Sequence, residues 1–223
     1  MANKKMGLEV VSSAIISFSV FLLLASTTQA QSNCVFDVTK YGAGKDITEA
    51  LTNAWKSACA STKASEVLIP SGTYWLRRVT LAGPCKAAIK LQVDGILQAP
   101  VDPDKLSGGH WVNFRYIDQF TLSGRGTFDG QGKVAWSKST CQKYKDCDSL
   151  PMNIRFDFIT NALVRDITSR DSKNFHVNVL GCRNLTFQHF TVRAPGESVN
   201  TDGIHIGRST GIYINRFKNW HRR

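Results

Sequence analysis

The amino-acid sequence predicts an all-β protein, a parallel β-helix in which one chain winds through successive coils of short strands. Three observations lead there. Short apolar runs recur between glycine and polar turns, segments of the second half superimpose on one another at a shift in the twenties, and only one stretch has the spacing of an amphipathic helix. An antiparallel sandwich of regular strands is the competing architecture. The coil reading is preferred because the repeats agree in register as well as in spacing.

Residues 1–30 read as a signal peptide rather than as part of the fold. Lys4 and Lys5 give a positive start, Ala14 to Ala25 form an apolar run, and Thr28-Gln29-Ala30 suits cleavage after Ala30. The run is shorter than the roughly 20 residues of a spanning helix, so no membrane association is expected after cleavage. Residues 31–223 are then a single secreted domain. Cys34, Cys59, Cys85, Cys141, Cys147 and Cys182 all lie in it and are expected to pair, with Cys141–Cys147 the favoured single bridge across a polar loop. No spacing matches a zinc site, and neither metal nor cofactor is expected.

The formal charge is +11, and Lys4, Lys5 and Glu9 are the only charged residues before Gln31, so nearly all of it stays with the domain. An exported basic protein fits an anionic extracellular partner such as an acidic polysaccharide. The basic residues are scattered and the chain is exported, which argues against nucleic acid. A solvated surface with lysines in excess accounts for the charge equally well.

The one clear helix covers about residues 46–61. Ile47, Ala50, Leu51, Ala54, Trp55, Ala58 and Cys59 make a single apolar stripe, and Asp46 with Glu49 resembles a capping box. It should close one end of a body built from strands. Val67 to Ile69, then Ile89, Leu91 and Val93, then Phe120 and Leu122 begin strands that break at glycine turns. Further on, "NALVRDITS" (161–169) aligns with "NLTFQHFTV" (184–192), and "GIYINRF" (211–217) with "NLTFQHF" (184–190). Asn161, Asn184 and Gly211 take the turn; Ala162, Leu185 and Ile212, then Val164, Phe187 and Ile214, take the apolar positions. Apolar residues at matching places in each coil would stack into a shared core. "NLT" at Asn184 is also a glycosylation sequon, which competes with a role as a stacked turn asparagine.

The segment "GESVNTDGIHIG" places Asn200 and Asp202 at the mouth of a strand. Side chains at i and i+2 of a strand share a face, so strict alternation would put this polar pair with Ile204 and Ile206. Gly203 could reset the phase through a bulge or unusual φ, leaving the isoleucines in the core and Asn200, Asp202 and His205 in solvent. A polar turn without chemistry is the simpler reading of Asn, Asp and Gly together.

"NTDGIHIGRSTG" resembles the first active-site motif of the polygalacturonases, glycoside hydrolase family 28. "FDVTKYGA", "WVNFRYID", "GTFDGQG", "LPMNIRF" and "DITSRDSKNFHVNVLGCRNLTFQHFTVRAPG" extend the resemblance from about Phe36 to about Asn215, most of all to the plant exopolygalacturonase type, including pollen forms. The resemblance implies a right-handed parallel β-helix that hydrolyses α-1,4 bonds of polygalacturonate, the acidic backbone of pectin, with inversion. By the same resemblance Asp202 is one of the carboxylates serving the attacking water, Asn200 contacts substrate beside it, and His176 in "NFHVN" borders the cleft in the preceding coil. The implied setting is the plant cell wall, with the chain a monomer.

From about residue 216 to residue 223 the sequence leaves the family pattern. The Gly-Asp-Asp-Cys, Gly-His-Gly and Arg-Ile-Lys motifs that supply a general acid, a histidine and a cationic clamp in the family do not occur. The expectation is therefore an incomplete β-helix, truncated after its first active-site coil and inactive as written, with a non-catalytic pectin-binding protein as the alternative. A pectate lyase would need clustered calcium-binding aspartates, which the sequence does not offer.

Overall fold

The computed structural model describes residues 34–106, 108–138 and 150–222, so the expected signal peptide and the expected Cys141–Cys147 bridge lie outside the described residues. The strands form three parallel sheets. The first stacks Cys34–Asp37, Ser65–Ile69, Ile89–Val93, Asp118–Ser123, Thr160–Arg165, Arg183–Gln188 and Thr210–Asn215. The second stacks Val79–Ala82, His110–Arg115, Met152–Asp157, Val177–Leu180 and Ile204–Gly207. The third stacks Thr73–Trp75, Ile96–Gln98, Thr127–Asp129, Thr168–Arg170, Thr191–Pro195 and Lys218–Arg222.

Each coil visits the second, first and third sheets in turn before rising to the next. Met152–Asp157 leads to Thr160–Arg165 and Thr168–Arg170, and the chain then returns beside its start as Val177–Leu180. This is a right-handed parallel β-helix. The sandwich alternative fails because neighbouring strands are parallel and belong to successive coils.

The repeats found in the sequence match the pairing. Ala162 faces Leu185 and then Ile212, while Val164 faces Phe187 and then Ile214. That file of the first sheet runs Val67, Leu91, Leu122, Val164, Phe187 and Ile214 through one continuous register. Alternation along each strand sends every second side chain inward, so one residue per coil stacks on its counterpart. In the second sheet the inward file is Leu81, Phe114, Phe156, Val179 and Ile206; the outward file is Thr80, Asn113, Arg155, Asn178 and His205. Ile206 is inward by register yet 47% exposed, against the expectation that it would be buried, because it lies on the edge strand of its sheet. Ile204 is half-buried and packs on the core.

The corners are tight because single residues there adopt left-handed φ. Asn161, Asn184 and Gly211 have φ of 51°, 53° and 65°. Asparagine tolerates that region, and its amide adds a cross-coil bond. Asn184 Nδ2 donates to Asn161 Oδ1 at 2.9 Å, and Asn161 Nδ2 to Asp118 Oδ1 at 2.8 Å. Hydrogen bonds from Thr160 and Asn161 hold the Asp118 carboxyl below its ordinary range. Asn184 is thus a stacked turn asparagine.

The helix spans Thr48–Cys59 and buries Ala50, Leu51, Ala54, Trp55 and Ala58 against the first coils. Its start differs from the expected capping box. Asp46 Oδ1 accepts from the Thr48 N–H of the first turn at 2.9 Å, as the expected cap would, while Arg77 pairs with both Asp46 and Glu49. A cation supplied from the coil wall thus joins the local cap through the second Asp46 oxygen. A second short helix, Lys133–Lys138, was not foreseen.

Cys59 and Cys85 form a disulfide that ties the helix end to the following coil. Cys34 and Cys182 are free thiols, which corrects the expectation that all six cysteines pair. Cys182 is fully buried in the core, where it acts as a small apolar side chain, and burial pushes its thiol pKa up.

Candidate functional site

Asn200 and Asp202 lie in the turn between Thr191–Pro195 and Ile204–Gly207, not within the strand. Thr201 between them is buried, and its hydroxyl lies 2.6 Å from Ser198 Oγ, which in turn donates to Pro195 O at 2.6 Å. With Thr201 pinned inward, its two neighbours project outward. The change of phase comes from Asn200, whose φ is 57°, and not from Gly203 as anticipated. Gly203 has a packing role: a Cβ there would stand 3.0 Å from Phe217 Cζ, tighter than nearly all real contacts.

The Asp202 side chain is 61% exposed, and its Oδ2 lies 3.1 Å from His205 Nε2. His205 belongs to the outward file of the second sheet, and its ring stacks on Phe175 of the preceding coil at 3.6 Å between centroids and 14° between planes. Asn200 Nδ2 donates to Asn174 Oδ1 at 2.7 Å, and Asn174, itself buried, donates to Leu150 O at 2.7 Å. Such an arrangement leaves Asp202 Oδ1 toward solvent, able to take a proton from water, with the Asn200 carbonyl beside it as an acceptor for a hydroxyl. Among the described residues no group of three His, Cys, Asp or Glu is placed to hold a metal ion.

His176, expected at the border of the cleft, is instead fully buried. Its Nδ1 lies 2.8 Å from Ser169 Oγ, which also accepts from Asn153 Nδ2 at 3.0 Å. The reason is its place at the corner between the third and second sheets, where the chain turns the side chain into the coil. It offers no surface to a ligand, but its backbone N–H donates to Asp202 O at 2.9 Å and so helps to fix the site turn.

The sequence and the fold both resemble known proteins. The sequence profile of "Glycosyl hydrolases family 28" matches residues 59–218. The chain belongs to glycosyl hydrolases family 28. It is 53% identical over 190 residues to an exopolygalacturonase of Platanus acerifolia, covering 84% of this chain and 50% of that one. It is 51% identical over 201 residues to a polygalacturonase of Medicago sativa, covering 87% and 48% respectively. The chain thus spans about half the length of these curated relatives. Among solved structures it resembles an endo-xylogalacturonan hydrolase from Aspergillus tubingensis, with a TM-score of 0.70 and 25% identity over 83% of this chain and 51% of that one. A polygalacturonase from Erwinia carotovora shares the fold, with a TM-score of 0.70 and 20% identity over 84% and 55%.

In this family 28 chain, sequence reasoning missed Asn174, which bonds Asn200, and Phe175, which stacks on His205, both from the coil below. The signal was present, since "NFHVNV" and "NTDGIHIG" fall in successive coils with Asn178 paired to His205. Lys173, just before them, was missed too. It is 1% exposed, and its ammonium donates to Gly130 O. Burial lowers its pKa to about 8, against the opposing pull of Asp129 and Asp102.

A lowered value means that the unfolded chain binds the Lys173 proton more tightly than the fold does. Between about pH 8 and the unfolded value near 10.4 the unfolded state therefore holds more protons, and stability rises with pH. Relative to a Lys173→Met variant, wild-type unfolding free energy should gain about 3 kcal/mol between pH 7 and 10.5. Urea unfolding of both proteins at several pH values reads this difference. A flat difference would show that the ammonium is not desolvated.

Proposed function

We propose that this protein acts on polygalacturonate, and that Asp202 is a carboxylate that accepts the proton of the attacking water in inverting hydrolysis of α-1,4-galacturonosyl bonds. Asn200 contacts the sugar beside it. The observation that carries the reading is the exposed Asp202 carboxylate, held through one oxygen on the outer wall of a family 28 β-helix. The formal charge of +11 suits an acidic polysaccharide. The relatives' names point the same way, one an exopolygalacturonase and another a polygalacturonase. Secretion to the plant cell wall, action as a monomer and freedom from metal complete the proposal.

Inversion needs a second group to protonate the leaving oxygen. The net positive charge would equally serve a second reading, a pectin-binding protein without turnover. Reducing-end release and binding, both measured on polygalacturonate with and without Asp202→Asn, separate the two. Release that disappears in the variant supports hydrolysis; binding without release supports the module; absence of binding overturns both.

A further inference from the structure

We propose that Asn174 and Phe175, two consecutive residues of one coil, are the positioning residues for Asn200 and Asp202 in the next. The inference rests on the reading of that pair as the substrate site and adds how the pair is held.

An exposed carboxylate in a turn would sample several rotamers. Here Asp202 Oδ2 meets His205 Nε2 at 3.1 Å, which directs the opposite oxygen outward. That bond is only as fixed as the imidazole, and the imidazole is the part that Phe175 controls. The rings lie almost parallel at 3.6 Å, so one face of His205 is covered and its rotation restricted. Asn174 does the same for the other half of the pair. Its buried amide donates to Leu150 O at 2.7 Å, which fixes which end is oxygen, and that oxygen accepts from Asn200 Nδ2 at 2.7 Å. Asn200 must then present its own carbonyl to the outside. Neither Asn174 nor Phe175 is placed to perform chemistry. Both act through a neighbour, across the spacing of about 4.8 Å between parallel strands.

The test uses the full chain with Phe175→Leu, which keeps an apolar side chain and removes the ring, Phe175→Tyr, which restores the ring, and Asn174→Ala. The spectroscopic readout is the NMR position of the His205 ring protons without ligand. The wild-type protons should be shifted upfield by the Phe175 ring, lose that shift in Phe175→Leu and keep it in Phe175→Tyr. The functional readout is titration with trigalacturonate. Binding should weaken about tenfold in Phe175→Leu and Asn174→Ala, as for loss of one well-placed hydrogen bond, and recover in Phe175→Tyr. An unchanged His205 spectrum in Phe175→Leu would overturn the clamp. Folded variants that bind as tightly as wild type would overturn the positioning role. A wild-type chain that binds no trigalacturonate would instead overturn the functional reading, and the His205 spectrum would still decide the clamp. Should Phe175→Leu not fold, His205→Gln, which keeps a donor but gives up the stack, carries the same expectation for binding.

Discussion

Phe156→Ala should lower the unfolding free energy by about 3–5 kcal/mol, the range for removing a large aromatic side chain from a close-packed core. Phe156 is fully buried and sits at the crossing of two files. Its ring stacks on Phe114 at 5.3 Å and 20°, and meets Phe187 edge-on at 5.8 Å and 83°. Phe114 in turn touches Phe120 and Trp55 of the capping helix, while Phe187 continues to Phe190 and Phe217. Aromatic contacts therefore run from the helix to the coil of the site turn, and Phe156 joins the two halves of that run. The coils are stacked rungs that cannot close over a hole without breaking register with both neighbours, so the cavity should stay open. Urea unfolding reads the loss. Phe156→Leu, which fills more of the space, should lose clearly less. Equal losses for both would mean that the ring's own contacts and shape, and not the volume it fills, carry the effect.

The file to which Phe156 belongs also shows how much of this architecture was legible. Apolar residues two apart are a strand signal, and their recurrence at a constant shift is a solenoid signal, so the coils from Ala162 to Ile214 could be aligned without coordinates. The helix was equally plain because its stripe is continuous. Only the Asp46 half of its cap was legible, since the guanidinium that engages Glu49 comes from Arg77, remote in sequence. Cysteine pairing failed for a related reason. A compartment argument says that thiols can pair, but only the coil positions show Cys182 sealed in the core.

At the site, Asn200 and Asp202 could be found because a motif carries them, whereas their direction depended on one backbone angle. Gly203 looked like the permissive residue, but Asn200 adopts the left-handed conformation. His176 was misplaced because a corner residue can turn inward or outward with no change in apolar pattern. Asn174 and Phe175 carry no chemical signature at all. Their role exists only when one coil is laid on the next, which is why the periodicity that fixes the fold also had to be applied to the polar residues.

Gly124→Ala should cost more than about 4 kcal/mol and leave little folded protein, a loss reserved for a few mechanisms such as backbone strain combined with overpacking. Gly124 turns the chain from Asp118–Ser123 toward Thr127–Asp129 with φ of 126°, where a Cβ is strained whatever the space around it. There is also no space. An added Cβ would lie 1.9 Å from Val93 O and 2.6 Å from Val93 C, both backbone atoms of the coil below. That carbonyl is already held, accepting from Gly126 N–H at 2.8 Å, so it cannot retreat without losing a bond between coils. Relief would require lifting one coil from the other, and the inward files above and below would lose contact together. Soluble yield, and thermal unfolding of whatever is recovered, read the outcome. A variant that unfolds within about 1 kcal/mol of wild type, a difference typical of an ordinary substitution, would show that this corner is soft and that coil-to-coil contact there does not fix the backbone.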